Sequence, residues 1–425
     1  MGKNDDAWEK LFAEHEILSH VEHEGFFRIS AAQIKKFREP RLMTKFDHKV
    51  NLPKIFSSNE LSILPVTRGD YLISHFEAWK KFEPTDSPVI QAALPEHLQS
   101  LDAKNIFSEA IALNCAFASG IIAHFTGDEN LLPTASGRMS SGTFDFKVND
   151  TRRNFSQVVH VSNSQIEIDA AFEGINFLTL IEAKLDLSDD FLIRQLYYPY
   201  RTWQNKISKP IKPVFPVYSN GIFYLREYAF TEPKNYNSLV LVRQKKYSVE
   251  STKITLVDIQ EILRTATPEA EPTVPFPQAD KFERVINICK LLNEKSLTRD
   301  EVTATYAFDA RQTNYYTDAA RYLGLLKKSK LNKAVAYELS DLGRKIFARG
   351  FKDRQLSFCK RILSHKVFTD TLKLYFDRGT MPSTAEIISL MKGANLYNVA
   401  GDSTFERRTS TVKGWLNWIV GLIDD

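Results

Sequence analysis

Hydrophobic and polar positions alternate most regularly in residues 165–184, QIEIDAAFEGINFLTLIEAK. In residues 166–172 every second side chain is apolar, so a β-strand here would place Glu167 and Asp169 together on its other face. Gly174 follows the strand and permits the positive backbone angles of a tight turn. The pattern therefore predicts the first strand of a β-hairpin with Asp169 on its polar face.

The second strand of this hairpin is predicted over residues 177–184, which are apolar on both faces until their end. Such a run is typical of a central strand buried on both sides of a sheet. Its last residues place Glu182 and Lys184 on one face, roughly 7 Å apart by the rise of a strand. Hairpin geometry can bring Asp169 beside them, so two carboxylates and one amine are expected to converge.

These three residue types are those that a phosphodiester-cleaving metal site requires. The carboxylates of Asp169 and Glu182, with the backbone carbonyl of Ala183, would provide hard oxygen ligands for Mg²⁺. Lys184 would orient or deprotonate a water and offset charge in the transition state. The alternative is that Asp169 caps a turn while Glu182 and Lys184 form a solvated ion pair.

A helix is predicted directly after this hairpin. Residues 188–190, Ser-Asp-Asp, are typical of a helix N-terminus, and an apolar stripe follows with Gln195 beside it. The stripe consists of Phe191, Leu192, Leu196, Tyr200 and Trp203. Pro199 lies within the stripe and predicts a kink.

The arrangement Asp169-x12-Glu182-x-Lys184 resembles the PD-(D/E)xK nuclease superfamily, and the resemblance extends to the helix that carries Gln195. It implies a mixed-sheet, restriction-endonuclease-like core, metal binding by Asp169, Glu182 and the Ala183 carbonyl, catalysis by Lys184, and assistance from Gln195. Two positions depart from the family pattern. Ile168 occurs where the motif's name has Pro, and Pro199 occurs where some relatives have Tyr, which weakens the assignment of Gln195.

The flanking patterns favour an α/β (α+β) fold around this hairpin. A long helix is predicted over residues 105–125, and Glu109 is its only acidic residue, so it is a candidate for one more carboxylate. Residues 133–142 are small and polar, which indicates a loop in which Arg138 contacts the DNA backbone, or a simple connector. Strands are predicted over 143–148, 214–218, 221–230 and 238–242, and a helix over 256–264.

Composition shifts along the chain predict its domain organisation. Residues 1–99 form an N-terminal region that is expected to pack on the core and begins with a polar helix over residues 1 to about 24. Its basic run over residues 26–54 either contacts DNA or is a solvated face. The nuclease domain is expected over 100–264. Residues 265–280 contain four prolines and predict an extended linker.

Residues 281–350 have the pattern of a winged helix-turn-helix, the family of DNA-binding domains that they resemble. Three short helices are predicted, the second starting at a capping box formed by Thr298 and Glu301 and the third near Asp309, and a basic hairpin follows. The third helix would enter the major groove and the hairpin would meet phosphate, although many winged helices bind proteins instead. The candidate DNA-contacting residues are Arg311, Gln312, Asn314, Tyr315, Lys327, Lys328, Lys330 and Lys333.

Residues 351–425 resemble a second winged-helix module. A helix start is predicted at residues 382–386 and a capping box at Ser403, and the helix after Ser403 buries an apolar stripe that includes Trp415. The side chains left outside are suited to base and phosphate contacts, namely Arg407, Arg408, Ser410, Thr411 and Lys413. The alternative is a helical cap that packs on the first module.

Charge and cysteine content refine these expectations. The net charge is only +4, but residues 281–425 carry +9 and residues 1–280 carry −5. This distribution fits a cationic DNA-reading part joined to a carboxylate-bearing catalytic part. The alternative is a random segregation of charge. Three scattered cysteines argue against disulfides and against a zinc cluster. No apolar run reaches membrane-spanning length and no signal-peptide core is present, so a cytoplasmic location is expected.

Taken as a whole, the chain resembles a type II restriction endonuclease. The resemblance implies Mg²⁺-dependent cleavage of double-stranded DNA at or near a short sequence, a companion DNA methyltransferase and a homodimer, since cutting both strands requires two sites. Two alternatives remain: a modification-dependent or repair nuclease of the same superfamily, and a DNA-binding regulator with an inactive nuclease core.

Overall fold

The computed structural model describes residues 3–85, 87–293, 295–305, 310–331 and 333–424. The chain forms two compact units, each assembled from several segments. The first unit contains Met1–Ile90, Ala112–Tyr218 and Phe223–Tyr247. The second contains Gln91–Ile111, Ser219–Ile222 and Ser248–Asp425.

The first unit begins with short helices around a small antiparallel sheet. The helices are α1 (Lys3–Glu14), α2 (Ile17–Glu24), α3 (Ala31–Lys35), α4 (Pro40–Thr44) and α5 (Lys54–Ser58), with a 3-10 turn at Lys49–Asn51. The strands are β1 (Phe27–Ser30), β2 (Ser62–Pro65) and β3 (Asp70–Ser74), in the order β1-β3-β2. A single N-terminal helix was expected, but Glu16 adopts a left-handed conformation with a φ of 47° and separates α1 from α2.

A seven-stranded mixed sheet forms the centre of the first unit. Its strands are β5 (Val89–Gln91), β6 (Leu132–Ser140), β9 (Gln165–Glu173), β10 (Leu178–Ile181), β12 (Ile211–Ser219), β13 (Ile222–Phe230) and β14 (Leu239–Ser248). They lie in the order β5-β14-β13-β12-β10-β9-β6. The predicted hairpin is β9 and β10, which pair antiparallel, and β10 pairs parallel with β12. The predicted α+β class is confirmed.

Further elements cover this sheet or extend it. They are β4 (Trp79–Lys81), α6 (Glu109–Ala118), α7 (Ile121–Thr126), β7 (Thr143–Asn149), β8 (Ser156–Ser162), β11 (Asp190–Leu192) and α8 (Arg194–Gln204). Leu64, Val66 and Phe76 join the apolar core of this sheet. Residues up to Ile90 therefore belong to the same unit as this sheet, and the N-terminal region continues from Gln91 into the second unit.

Further local predictions in this unit were wrong. The helix expected to begin at residues 188–190 starts only at Arg194, because Asp190–Leu192 forms strand β11. The helix expected over residues 105–125 is broken into α6 and α7, because Gly120 has a φ of 73°. The loop expected over residues 133–142 is mostly strand β6, which pairs with β9. Its register shifts twice between Pro133 and Gly137, and these irregularities accommodate the small residues that suggested a loop.

The second unit is mainly helical. Its helices are α9 (Leu256–Thr265), α10 (Phe282–Leu291), α11 (Arg299–Thr305), α12 (Ala310–Tyr322), α13 (Asp341–Phe347), α14 (Phe351–Ile362), α15 (Lys366–Arg378), α16 (Thr384–Lys392) and α17 (Asp402–Val420). Its strands are β15 (Leu297–Thr298), β16 (Leu326–Leu331) and β17 (Ala334–Leu339), in the order β15-β17-β16. The sequence from α10 to β17 has the element order that was predicted for a winged helix, and the expected helix start near Asp309 lies outside the described residues.

The predicted Pro-rich linker is a packed segment of the second unit. Phe276 is buried, Glu271 accepts a hydrogen bond from the Tyr322 hydroxyl, and Glu269 forms an ion pair with Arg361. The unit also includes α9, which was assigned to the nuclease domain. These contacts hold the segment against the rest of the second unit, so it is not the extended linker that was predicted.

The second winged-helix module was predicted wrongly. The described residues after Gly350 form helices α14–α17 without a β-hairpin, and α17 packs on the segment before α10. Trp415 donates a hydrogen bond to the Ala279 carbonyl, and a Cβ on Gly414 would lie 2.2 Å from the carbonyl oxygen of Asp280. The helix begins at Asp402, so the capping box expected at Ser403 is absent, whereas the one expected at Thr298 is present. The helix expected to start at residues 382–386 is α16, and a capping box at Ser383 begins it.

Within the part of the chain that the structure describes, none of the helices combines the length and the apolar character needed to cross a bilayer.

Candidate active site

Asp169 and Glu182 come close at the end of the β9–β10 hairpin. The paired register ends with Ile181 opposite Ala170, and its continuation by one residue would place Glu182 opposite Asp169, whose charge contributes to the pKa of Glu182. Side chains directly opposite each other on an antiparallel pair point to the same face of the sheet, with Cβ atoms about 5 Å apart. The Oδ2 atom of Asp169 accepts a hydrogen bond of 2.7 Å from the N–H of Ala183, which fixes the aspartate beside the end of β10.

Glu182 is a buried carboxylate in a polar cluster. Glu182 is 8% exposed. Its Oε1 atom accepts hydrogen bonds from Lys184 Nζ at 2.6 Å and from Gln195 Nε2 at 2.5 Å. Burial raises the pKa of Glu182 to about 7; the Lys184 ammonium lowers it, and the charge of Asp169 raises it further. The carboxyl group is thus poised to exchange a proton near neutral pH.

Lys184 bridges two of the predicted metal ligands. Its Nζ atom donates to Glu182 Oε1 and, at 3.0 Å, to the carbonyl oxygen of Ala183. The backbone of Lys184 continues the pairing of β10 with β12, since its N–H donates to Pro216 and its carbonyl accepts from Tyr218. The ammonium therefore lies between two oxygens that were predicted to coordinate Mg²⁺.

Helix α8 delivers Gln195 to this cluster. Leu196, Tyr197 and Tyr198 are buried in the core of the first unit and fix the start of the helix against the sheet. The helix runs through Pro199, whose missing N–H would have bonded to the carbonyl of Gln195. The Oε1 atom of Gln195 is buried and has no hydrogen-bond partner among the described residues, so one polar atom there is available to a ligand or water.

A small cleft opens beside these groups. It has a volume of about 10 Å³, close to the room that one water needs. The residues that line it are Glu167, Ile168, Leu180, Ile181, Glu182, Gln195, Leu196 and Pro199. The described residues contain no cluster of three or more His, Cys, Asp or Glu side chains arranged to hold a metal ion. Two carboxylates and a carbonyl nevertheless fit Mg²⁺, which keeps several waters and takes few protein ligands.

Two further residues, Glu109 and Arg138, were proposed for the catalytic domain. Glu109 is the first residue of α6, belongs to the second unit and is not among the residues that line the cleft. Arg138 lies on strand β6, where its Nε atom is 3.5 Å from Glu167 across the pair with β9. Glu167 lines the cleft, so Arg138 is next to the site, but on a strand and not on a flexible loop.

The candidate residues of the predicted recognition helix and hairpin differ in exposure. On α12, Tyr316, Ala319 and Ala320 are buried, while Arg311 is exposed and donates a hydrogen bond of 2.5 Å to the Tyr315 hydroxyl. Gln312 and Asn314 on the same helix are half-buried. Lys327, Lys328 and Lys330 on β16 are exposed, as is Lys333 in the turn, which has a φ of 66°.

The candidates on α17 divide into exposed and buried groups. Arg407 and Ser410 are exposed, and Arg408 and Lys413 are half-buried, with Lys413 donating a hydrogen bond to Thr384. Thr411 was expected to face DNA, but it is fully buried, and its hydroxyl accepts a hydrogen bond from the N–H of Ala279. Its role is therefore the packing of α17.

Sequence reasoning missed the polar residues that the N-terminal region brings to this side of the sheet. The charge of Asp47 contributes to the raised pKa of Glu182. Its neighbour His48 contacts Asp190, which lies 142 positions further along the chain. No spacing rule joins residues so far apart, and the only local signal is a polar Asp-His pair next to the apolar Phe46.

Comparisons with known protein families divide the chain into three consecutive parts. Three family models match, each described as a domain of unknown function: DUF6996 over residues 5–73, DUF6997 over residues 74–248 and DUF7226 over residues 284–424. The search of curated proteins and the search of solved structures both returned no match. The candidate active site lies entirely within the DUF6997 match, and the helix and hairpin with exposed lysines lie within the DUF7226 match.

Proposed function

We propose that the protein is a Mg²⁺-dependent nuclease that hydrolyses phosphodiester bonds of double-stranded DNA. The observation that carries this proposal is the convergence of Asp169, Glu182, Lys184 and Gln195 around Ala183 at the end of a buried strand. A solvated ion pair would not need a carboxylate that is 8% exposed and whose pKa burial raises to about 7. Buried groups with such shifted pKa values concentrate at functional sites.

Mg²⁺ would be held by Asp169, Glu182 and the carbonyl of Ala183, where it would supply the charge that polarises a phosphate and activates a water. The Oδ2 atom of Asp169 is engaged by the N–H of Ala183, which leaves Oδ1 for a ligand. Gln195 donates to Glu182 and orients its carboxylate. These contacts would preorganise the oxygens before DNA arrives.

Lys184 is assigned to the attacking water. In the structure its ammonium is hydrogen-bonded to Glu182 and to the Ala183 carbonyl, so it must move away from these oxygens when they take a metal ion. Rotation about its side chain would free these oxygens. The ammonium would then orient the water and offset the negative charge of the transition state.

The finer proposal is a type II restriction endonuclease acting in the cytoplasm. The motif supports it, together with the cationic residues 281–425, whose exposed Lys327, Lys328 and Lys330 suit phosphate contacts. Such an enzyme would act as a homodimer on double-stranded DNA, near a short recognised sequence, beside a companion methyltransferase that protects host DNA.

Cleavage of unmodified and of methylated plasmid DNA in Mg²⁺ tests this function. We expect Glu182→Ala to lower the cleavage rate by at least about a hundredfold, because a metal ligand is lost, while DNA binding in a chelator is unchanged. Glu173→Ala is the matched control, since it lies on the same hairpin but pairs with Lys209 at the surface.

Each outcome of this assay separates the candidate functions. Discrete fragments from unmodified DNA that disappear with Glu182→Ala would support the restriction endonuclease. Cleavage of methylated DNA alone would instead indicate a modification-dependent nuclease. Sequence-specific binding without cleavage under every condition would overturn the nuclease and favour a DNA-binding regulator.

A further inference from the structure

The segment around His48 is anchored to the strand that leads into the active site. His48 is 6% exposed, and its Nδ1 atom lies 2.7 Å from the backbone carbonyl oxygen of Asp190 and 3.3 Å from Oδ1 of the same residue. The N–H of Lys49 donates to the other carboxylate oxygen of Asp190 at 3.3 Å. On the other side of His48, the carbonyl of Phe46 accepts a hydrogen bond from Trp79 Nε1.

Asp190 begins the short strand that ends at helix α8. This strand, β11, pairs with β4 through Asp190 with Lys81 and Leu192 with Trp79, and the N–H of Ile193 donates to Ala78. Helix α8 starts at the next residue. Gln195, its second residue, donates to Glu182 at 2.5 Å. Asp190, which contacts His48, is therefore only five positions before Gln195, which contacts Glu182.

The electrostatic surroundings strengthen the contact between His48 and Asp190. Burial lowers the pKa of His48, but the hydrogen bond with Asp190 and the charge of Asp186 outweigh burial and raise its pKa above the usual value. A histidine that only filled the core would not be paired with a carboxylate that is itself largely buried, with 18% of the Asp190 side chain exposed. The position of this pair at a strand-to-helix junction points to a fixed geometry there.

We propose that His48 is a positioning residue of the active site, which holds the β11–α8 junction through Asp190 and thereby keeps Gln195 against Glu182. The inference rests on the proposed nuclease function, and it assigns the N-terminal region a part in building the catalytic site. The contact joins residues from two different family matches, since His48 lies within 5–73 and Asp190 within 74–248.

The test compares three histidine variants of the full-length protein in a cleavage assay. His48→Ala is expected to lower kcat about tenfold, the size of effect typical when an outer-shell partner is lost, with KM for DNA unchanged. His48→Asn is expected to recover most of the rate, because its amide nitrogen can take the place of Nδ1. His160→Ala is the matched control: His160 makes a similar Nδ1 contact with Asp145 at 2.6 Å, but on the exposed β7–β8 hairpin.

A double-mutant cycle with Gln195→Ala tests the route of the effect. If His48 acts through Gln195, His48→Ala will cost little in a protein that already lacks Gln195. Equal and additive losses in both backgrounds would overturn this route. An unchanged kcat in His48→Ala would overturn the proposal itself.

Hydrogen exchange separates failure of this inference from failure of the nuclease proposal. His48→Ala should accelerate amide exchange in residues 190–204, while His160→Ala should leave that segment unchanged. If the wild-type protein cleaves no DNA, the proposed function fails, and this exchange measurement still decides whether His48 holds the junction. Unchanged exchange in His48→Ala would exclude it.

Discussion

At the scale of single residues, the candidate site is governed by one buried carboxylate. Glu182 is surrounded by two hydrogen-bond donors, Lys184 and Gln195, and by a second carboxylate, Asp169. Burial disfavours its charge, whereas the ammonium favours it, and the balance raises its pKa to about 7. A divalent cation would shift this balance strongly toward the ionised form, so metal binding and protonation at Glu182 must compete.

This competition predicts a pH-dependent affinity for Mg²⁺. Because Glu182 is protonated below its pKa of about 7, metal binding there must release a proton. The apparent affinity measured by calorimetry is expected to rise by up to about tenfold per pH unit below pH 7 and to level off above it. Glu182→Gln should bind weakly with a flat profile, and a profile in the wild type that is flat from pH 5.5 to 9 would contradict the assignment.

Lys184→Ala is predicted to change metal binding and catalysis in opposite directions. The Lys184 ammonium contacts both Glu182 Oε1 and the Ala183 carbonyl, so its removal frees two ligands for Mg²⁺. At pH 8.5 the variant should bind Mg²⁺ more tightly in calorimetry, yet cleave DNA at least about a hundredfold more slowly because the group that acts on water is lost. Lys209→Ala, at the surface pair with Glu173, provides the control. Weaker metal binding by Lys184→Ala would show that the lysine supports the metal site.

At the scale of elements, the hairpin formed by β16 and β17 combines a buried anchor with exposed basic side chains. Its strand β16 is anchored by the buried Leu326, while Lys327, Lys328 and Lys330 are exposed. The strands pair from Leu326 with Leu339 to Leu331 with Ala334, so the lysines are carried on a regular ladder. Such a hairpin suits contacts with phosphate, which depend on charge more than on shape.

Replacement of the three hairpin lysines by alanine should weaken DNA binding through loss of counterion release. Each lost phosphate contact lowers the slope of log affinity against log salt by about 0.9, so the triple variant should lose about 2.7 from this slope. Alanine at Lys360, Lys366 and Lys373 is the matched control, because these lysines are also exposed in the second unit but lie on helices α14 and α15. Equal losses in both triple variants would show that the charge effect is nonspecific.

At the scale of the whole molecule, structural units and family matches divide the chain differently. The DUF6996 and DUF6997 matches meet at residues 73 and 74, yet both lie largely in the first unit. Leu64 and Val66 from the first match share an apolar core with Phe215 and Tyr228 from the second. The first two family regions thus form one structural unit, and the N-terminal region is not a removable addition.

If the proposed nuclease cuts both DNA strands, we expect two chains to act together, because each chain carries one copy of the Asp169 and Glu182 pair. Supercoiled plasmid should become linear with little accumulation of nicked circles, and sedimentation with a short duplex in a chelator should show two chains per duplex. An excess of Glu182→Ala protein should shift the products toward nicked circles. One chain per duplex together with nicked products from the wild type alone would contradict the dimer.

The local features of this protein were determined by its sequence. The strand pattern predicted β9 and β10, and the spacing of Asp169, Glu182 and Lys184 predicted that they would converge, because alternation along a strand and pairing across a hairpin act over short distances. The exposed lysines of β16 and the buried face of α12 were likewise predictable from periodicity. Glycine at position 120 could have indicated the break between α6 and α7, but a continuous apolar stripe concealed it.

Other features were decided only by the tertiary structure. The burial of Thr411, the packing of the proline-rich segment around Phe276 and the contact between His48 and Asp190 join residues that are far apart in the chain. Such contacts depend on which apolar surfaces meet in the folded protein, and no short pattern encodes that choice. The sequence by itself thus determined the chemistry present at Glu182, whereas tertiary packing decided which distant side chains hold that chemistry in place.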